Sequence, residues 1–305
     1  MPSDPPAPAA AHQPRDGSAL YYSLLPLDPN TRLSAYNLLK LVQVLADALV
    51  DVQEPKVADQ KIHWWHEEIS RLFEDEPRHP ATRGCQITLN SMTEPARVRA
   101  QSHLMTILSV NSNEKYQNNQ NQQQFIERIR QDFSARLSLL LELSGLADAK
   151  ESEIASGPQR AENAVVHPQL EAYATGLGIF DRLRHCHRLR HQSYEVWPDS
   201  AYREHGLQPA DLGQTNKIEE THALIGAFIE QALAQLTEAL SQQSVPDKAL
   251  GKASLPIYIN ASLRQKQLKL WQKKHVNPMQ QYVALTPLHK AWHAMRCRQR
   301  FSSHN

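Results

Sequence analysis

Along residues 31–52, TRLSAYNLLKLVQVLADALVDV, the apolar positions Leu38, Leu41, Val42, Leu45, Leu49 and Val52 recur every three or four residues. That spacing draws one apolar stripe along an α-helix, so the whole segment is predicted helical. A second stripe, Ile62, Trp65, Ile69 and Leu72 or Phe73, predicts a helix over 58–76 with Asp59 as its cap. Glu67 and Glu68 then fall on its solvated side. A short helix is expected over 98–110 and a clearer one over 124–143, where Phe125, Ile129, Phe133, Leu137 and Leu140 or Leu141 stand in register and Gly145 ends it. Further helices are predicted over 167–191, 217–241, 261–275 and 287–301, with prolines 77, 80, 198 and 278 as breaks. The Asn/Gln-rich run 111–124 reads as an exposed loop or the frayed start of the next helix, the stretch 147–166 reads as a polar linker, and no repeat of fixed period is present.

Composition supports the same picture. In 305 residues there are only ten Gly and 41% hydrophobic residues, which with the helical periodicity points to an all-α protein. The Pro/Ala-rich residues 1–17 carry no signal-peptide core and read as a disordered tail, leaving 18–301 as one domain. No apolar run reaches the roughly 18 to 20 residues that span a bilayer. A cytoplasmic protein is expected, with peripheral attachment at the inner face of a membrane as its only membrane mode. Cys85, Cys186 and Cys297 are odd in number and far apart, favouring free thiols in a reducing compartment.

Net charge is +1, which by itself names no partner, and no recognition motif points to nucleic acid. The distribution is more telling: no acidic residue follows Asp247, whereas eleven Lys and Arg do. Within that stretch, 262–275 is a cationic helix with Leu263, Leu268 and Trp271 on its other side. It suits either a bundle helix with an apolar core face or a helix lying on an anionic membrane surface. A second basic segment, DRLRHCHRLRHQ at 181–192, sets Arg182, Arg184, Arg188 and Arg190 against Asp181. Arginines so placed can grip a phosphate through paired N–H donors, or form a solvated face. On the first helix, Asp47 and Asp51 are four residues apart, one helical turn, and can share a divalent cation or lie on a charged surface.

Taken together, YYSLLPLDPNTR, Asp47-x-x-x-Asp51, Trp64-Trp65 with Glu67 and Glu68, His79-Pro80, GLGIFDRLR, WPDSAYREHGLQPADL and ALTPLHKAW resemble the squalene/phytoene synthase family. The resemblance implies an all-α, isoprenoid-synthase-like helical bundle around a central apolar cavity. It further implies two facing helices whose aspartates bind Mg²⁺ and hold an isoprenoid diphosphate for head-to-head coupling. Asp47 and Asp51 match the first of these motifs and become metal candidates; Tyr21, Tyr22 and Asp181 become candidates for the cavity mouth. The second motif departs from the family pattern, because its aspartates would fall at His185 and Leu189. Val44 stands where a basic residue commonly precedes the first. Leucine cannot ligate a metal, and histidine suits Mg²⁺ poorly. The expectation is a catalytically impaired member that binds a prenyl diphosphate or phospholipid, with Arg182, Arg184, His185 and Arg188 as anion-binding candidates. A branch of the family associated with respiratory complex I assembly makes an assembly role, with a protein partner, part of that expectation. An active Mg²⁺-dependent prenyltransferase is the alternative.

Overall fold

The computed structural model describes residues 17–49, 52, 54–116, 121–143, 168–191, 196–241 and 254–303. These form eleven α-helices and no strand: α1 (Ala19–Leu24), α2 (Pro29–Ala46), α3 (Pro55–Phe73), α4 (Pro80–Asn90), α5 (Glu94–Tyr116), α6 (Gln122–Glu142), α7 (Pro168–His191), α8 (Asp199–Glu204), α9 (Ile218–Ser241), α10 (Leu255–Lys273) and α11 (Pro287–Ser303). Their starts are written in local chemistry. Asp28 accepts from the backbone N–H groups of Asn30 and Thr31 ahead of Pro29, and the His79 ring accepts from Ala81 N–H ahead of Pro80. Proline in the first turn loses no hydrogen bond, since those N–H groups have no helical partner.

Several predicted features are corrected. The helix expected over 98–110 runs over Glu94–Tyr116, and the next begins at Gln122, so the run 111–124 is not one exposed loop. The first helix ends at Ala46 rather than continuing to 52, because Asp47 leaves helical geometry (φ −88°, ψ 2°). Its carboxylate is held instead by Gln43 and by a residue of α7. Asp51 lies outside the described residues, as do Gly145 and the connection 147–166. The second helix starts at Pro55, three residues ahead of the prediction, so Asp59 falls inside it and caps nothing. Glu68 is fully buried, not solvated: it accepts from Arg78 N–H (2.8 Å), His79 N–H (2.7 Å), the Thr82 hydroxyl and Arg71.

Two apolar cores share α6. One joins α2, α3, α4 and α5 through Leu41, Leu45, Trp65, Ile69, Leu89 and Leu104, with Ala135 and Leu139 of α6. The other surrounds α7, where Trp197 stacks on Phe228 at 4.2 Å and Phe180 on Trp271 at 5.5 Å. Two glycines let α7 approach its neighbours closely. A Cβ at Gly176 would stand 2.6 Å from Leu236 Cγ on α9, and one at Gly178 would collide with Ile129 and Phe133 on α6. Leu263, Leu268 and Trp271 of α10 are buried, so its apolar side is core. Among the described residues no helix is long and apolar enough to cross a membrane.

Candidate functional site

The end of α2 and the second half of α7 face each other across a cleft floored by α6. It encloses about 80 Å³. Phe125, Ile129, Phe133 and Leu189 supply its apolar wall, while Asp47, Asp132, Arg136, Asp181, His185 and Arg188 supply its acidic and basic side chains.

Each carboxylate in the cleft meets a basic side chain of the protein itself. Arg188 Nη2 reaches from α7 to Asp47 Oδ1 at 2.6 Å, with both side chains part-exposed (44% and 33%). Asp47 Oδ2 accepts from Gln43 Nε2 at 2.7 Å, so both of its oxygens are engaged. Asp132 takes Arg136 in a forked contact, Nε to Oδ1 at 3.0 Å and Nη2 to Oδ2 at 2.5 Å, and also accepts from Asn111. Asp181 lies 3.3 Å from His185 Nδ1, one turn further along α7. Burial pushes the Asp181 carboxyl up, but the His185 hydrogen bond and the charges of His185, Arg136 and Arg184 outweigh it and hold the group well below the usual range. Arg136 is opposed by burial and stabilised as a cation by Asp132, Asp181 and Asp47, which surround it.

The residues singled out from sequence divide between two flanks of α7. Asp181, Arg182, His185, Arg188 and Leu189 line the cleft beside Asp47, with Arg182 set 5.7 Å over the Phe125 ring. Arg184 points away, 5.9 Å over the Tyr282 ring. There it joins Arg264 and Lys290. Arg264 is drawn down to about 10, first by burial and then by the Arg184 charge. Lys290 is lowered by burial, Arg264 and Arg184, and donates to Gly17 O at 2.8 Å. Tyr21 and Tyr22 sit edge to face on α1, which packs on α10 and α11, and do not line the cleft.

Asp132 and Arg136 escaped the sequence reading. Their signal was an acid and a base one turn apart, interrupting the apolar stripe of α6. Arg264 and Lys290 carried none, since the cations they face come from other helices. Among the described residues no three His, Cys, Asp or Glu side chains converge as a metal shell requires.

The family model for squalene/phytoene synthases matches residues 14–269. A dehydrosqualene synthase solved in complex with a ligand superposes with a TM-score of 0.62 at 12% identity, over 93% of this chain and 92% of that one. Squalene synthase HpnC from Alicyclobacillus acidocaldarius gives 0.58 at 15% identity, over 84% and 89%. At these identities the two establish the isoprenoid-synthase-like fold. No curated protein sequence matches the chain.

Proposed function

This chain belongs to the squalene/phytoene synthase family, and from that premise we propose that it holds a prenyl diphosphate or a related anionic lipid without coupling it. One observation carries the reading: the Asp47 carboxylate is closed onto Arg188 of the opposite helix at 2.6 Å. A guanidinium at that distance occupies an oxygen that a divalent cation would need. The donor set does not fit Mg²⁺, which demands near-octahedral oxygen ligands. The facing helix offers His185 and Leu189 at the matching positions, and Asp132 and Asp181 are already engaged by Arg136 and His185. Positive charge is built into the chain in the form of arginines.

A phosphate can replace Asp47 on Arg188, since arginine binds either oxyanion through the same N–H donors. Arg182 and His185 flank the position that the phosphate would take. The cleft's 80 Å³ falls far below the several hundred Å³ of ordinary ligand pockets. Binding a prenyl chain therefore requires α2 and α7 to part, and the Asp47–Arg188 contact acts as a latch. Its partial exposure limits it to about 1 kcal/mol. Affinity is reduced by the fraction of molecules that stay latched.

Incubation with farnesyl or geranylgeranyl diphosphate, with and without Mg²⁺ and NADPH, tests this by mass spectrometry and thermal shift. The expected outcome is thermal stabilisation independent of Mg²⁺, with no C30 or C40 product. Asp47→Asn should tighten binding about fivefold by removing the competing carboxylate, whereas Arg188→Ala should weaken it. The second reading, a Mg²⁺-dependent prenyltransferase, draws on the retained Asp47. It predicts the reverse: a metal-dependent product that Asp47→Asn abolishes.

A further inference from the structure

We propose that α11 is the face by which this protein docks on an anionic lipid bilayer. At about 3.6 residues per turn, Leu288, Trp292 and Met295 fall on one narrow stripe, opposite the buried Lys290 and Cys297 that face the rest of the fold. The stripe is open to solvent, with Leu288 80% exposed, Met295 52% and Trp292 46%. Single exposed apolar residues are ordinary on a soluble surface. Three in line on the outer side of an outer helix form a patch that calls for a partner.

Charge identifies that partner. Exposed Arg296 and Arg298 flank the stripe on either side, and the Arg296 guanidinium lies 4.0 Å over the Trp292 ring. Exposed Lys266, Lys269 and Lys273 extend the cationic surface along α10. Lys266, Arg296 and Arg300 all act on His293, in the seam between α10 and α11, which places them on one flank. Residues 248–305 hold eleven cations and no acid; residues 1–247 therefore hold 22 cations and 32 acids, a net charge of −10. An anionic surface attracts the exposed cations of α10 and α11 while the excess of acids elsewhere in the chain opposes other orientations. Each Lys or Arg near such a surface adds attraction to it, and an apolar stripe bearing Trp adds burial at the headgroup boundary. This surface differs from the one expected at 262–275: α10 contributes its cations, and α11 contributes the exposed apolar side.

Flotation of the full chain with vesicles of phosphatidylcholine, alone or with about a third phosphatidylglycerol, tests the proposal. Binding is expected to the anionic vesicles only, and to fade as salt rises. Leu288→Ser, Trp292→Ser and Met295→Ser combined should weaken it at least tenfold while leaving the melting temperature unchanged. Should that variant fail to fold, quenching of tryptophan fluorescence by bromo-acyl lipid, lost in Trp292→Phe, reads insertion directly. The proposal is overturned by wild-type protein that ignores anionic vesicles, by a folded triple variant that binds as well as wild type, or by quenching that survives in Trp292→Phe. It is equally overturned if the stripe instead drives self-association, seen as a dimer that the triple substitution dissolves.

Discussion

Glu68 is the residue at which sequence and structure part most sharply. Its helical position looks solvated, yet the chain that follows α3 turns back and brings Arg78, His79 and Thr82 onto its carboxylate. Donors ten to fourteen residues away leave no mark in a helical pattern, so the Trp64-Trp65-x-x-Glu68 segment was legible as a motif but not as a buried anchor. Burial alone would raise the Glu68 carboxyl; the hydrogen bonds from His79, Thr82, Arg78 and Arg71 prevail and lower it. Removing the carboxylate strands these donors and the Arg71 charge. Glu68→Ala should cost about 3 to 5 kcal/mol in urea unfolding. A lowered folded value means that the contribution is complete above the ordinary value of 4.5 and is lost as pH falls below it. In Glu68→Gln, stability should therefore change less below pH 4.5 than in wild type.

Helices were readable from apolar spacing because packing against one core imposes the period, and α6, α7, α9 and α11 lie within a few residues of their predicted spans. Their ends were less readable, since a partner from elsewhere decides them. Asp47 is the clearest example, bound by Arg188, which lies 141 residues away along the chain. That His185 and Leu189 stand where the family resemblance places aspartates was legible, because no shift of register puts a second Asp-x-x-x-Asp pair on this segment. The guanidiniums that neutralise the remaining acids were not. α7 also depends on Gly176 and Gly178, whose missing side chains set its distance from α9 and α6. Gly178 lines the cleft, so this close approach is also part of what keeps the cavity small. Gly178→Ala must push Ile129 and Phe133 aside. It should destabilise the protein by about 1 to 3 kcal/mol, measured by denaturant midpoint, whereas Gly226→Ala, with open space at its Cβ, should be neutral or stabilising.

For the molecule as a whole, acid sensitivity follows most strongly from two histidines in different helices, with His79, also lowered by burial, as a lesser third. His103 on α5 is pushed down to about 4 by burial and by Arg99. His293 on α11 is pushed down to about 4 by burial and by Lys266, Arg300 and Arg296, and its ring shares a 2.7 Å hydrogen bond with Ser262. In the unfolded chain both titrate near 6.5. Between pH 6.5 and 4 the unfolded state therefore binds up to two more protons at these two positions than the native one. Stability rises with pH wherever that holds, so it is complete above 6.5 and falls as the solution is acidified toward 4. The Glu68 contribution disappears in a lower window, which lets the two be separated. Thermal unfolding followed from pH 7.5 to 3.5 should show a decline that begins near 6.5 and steepens below 4.5. Replacing both His103 and His293 with Gln should flatten the upper part and spare the lower. A decline confined to the region below 4.5 in the wild type would mean that both imidazoles protonate freely in the folded state, and that the seam between α10 and α11 is wetter than its packing implies.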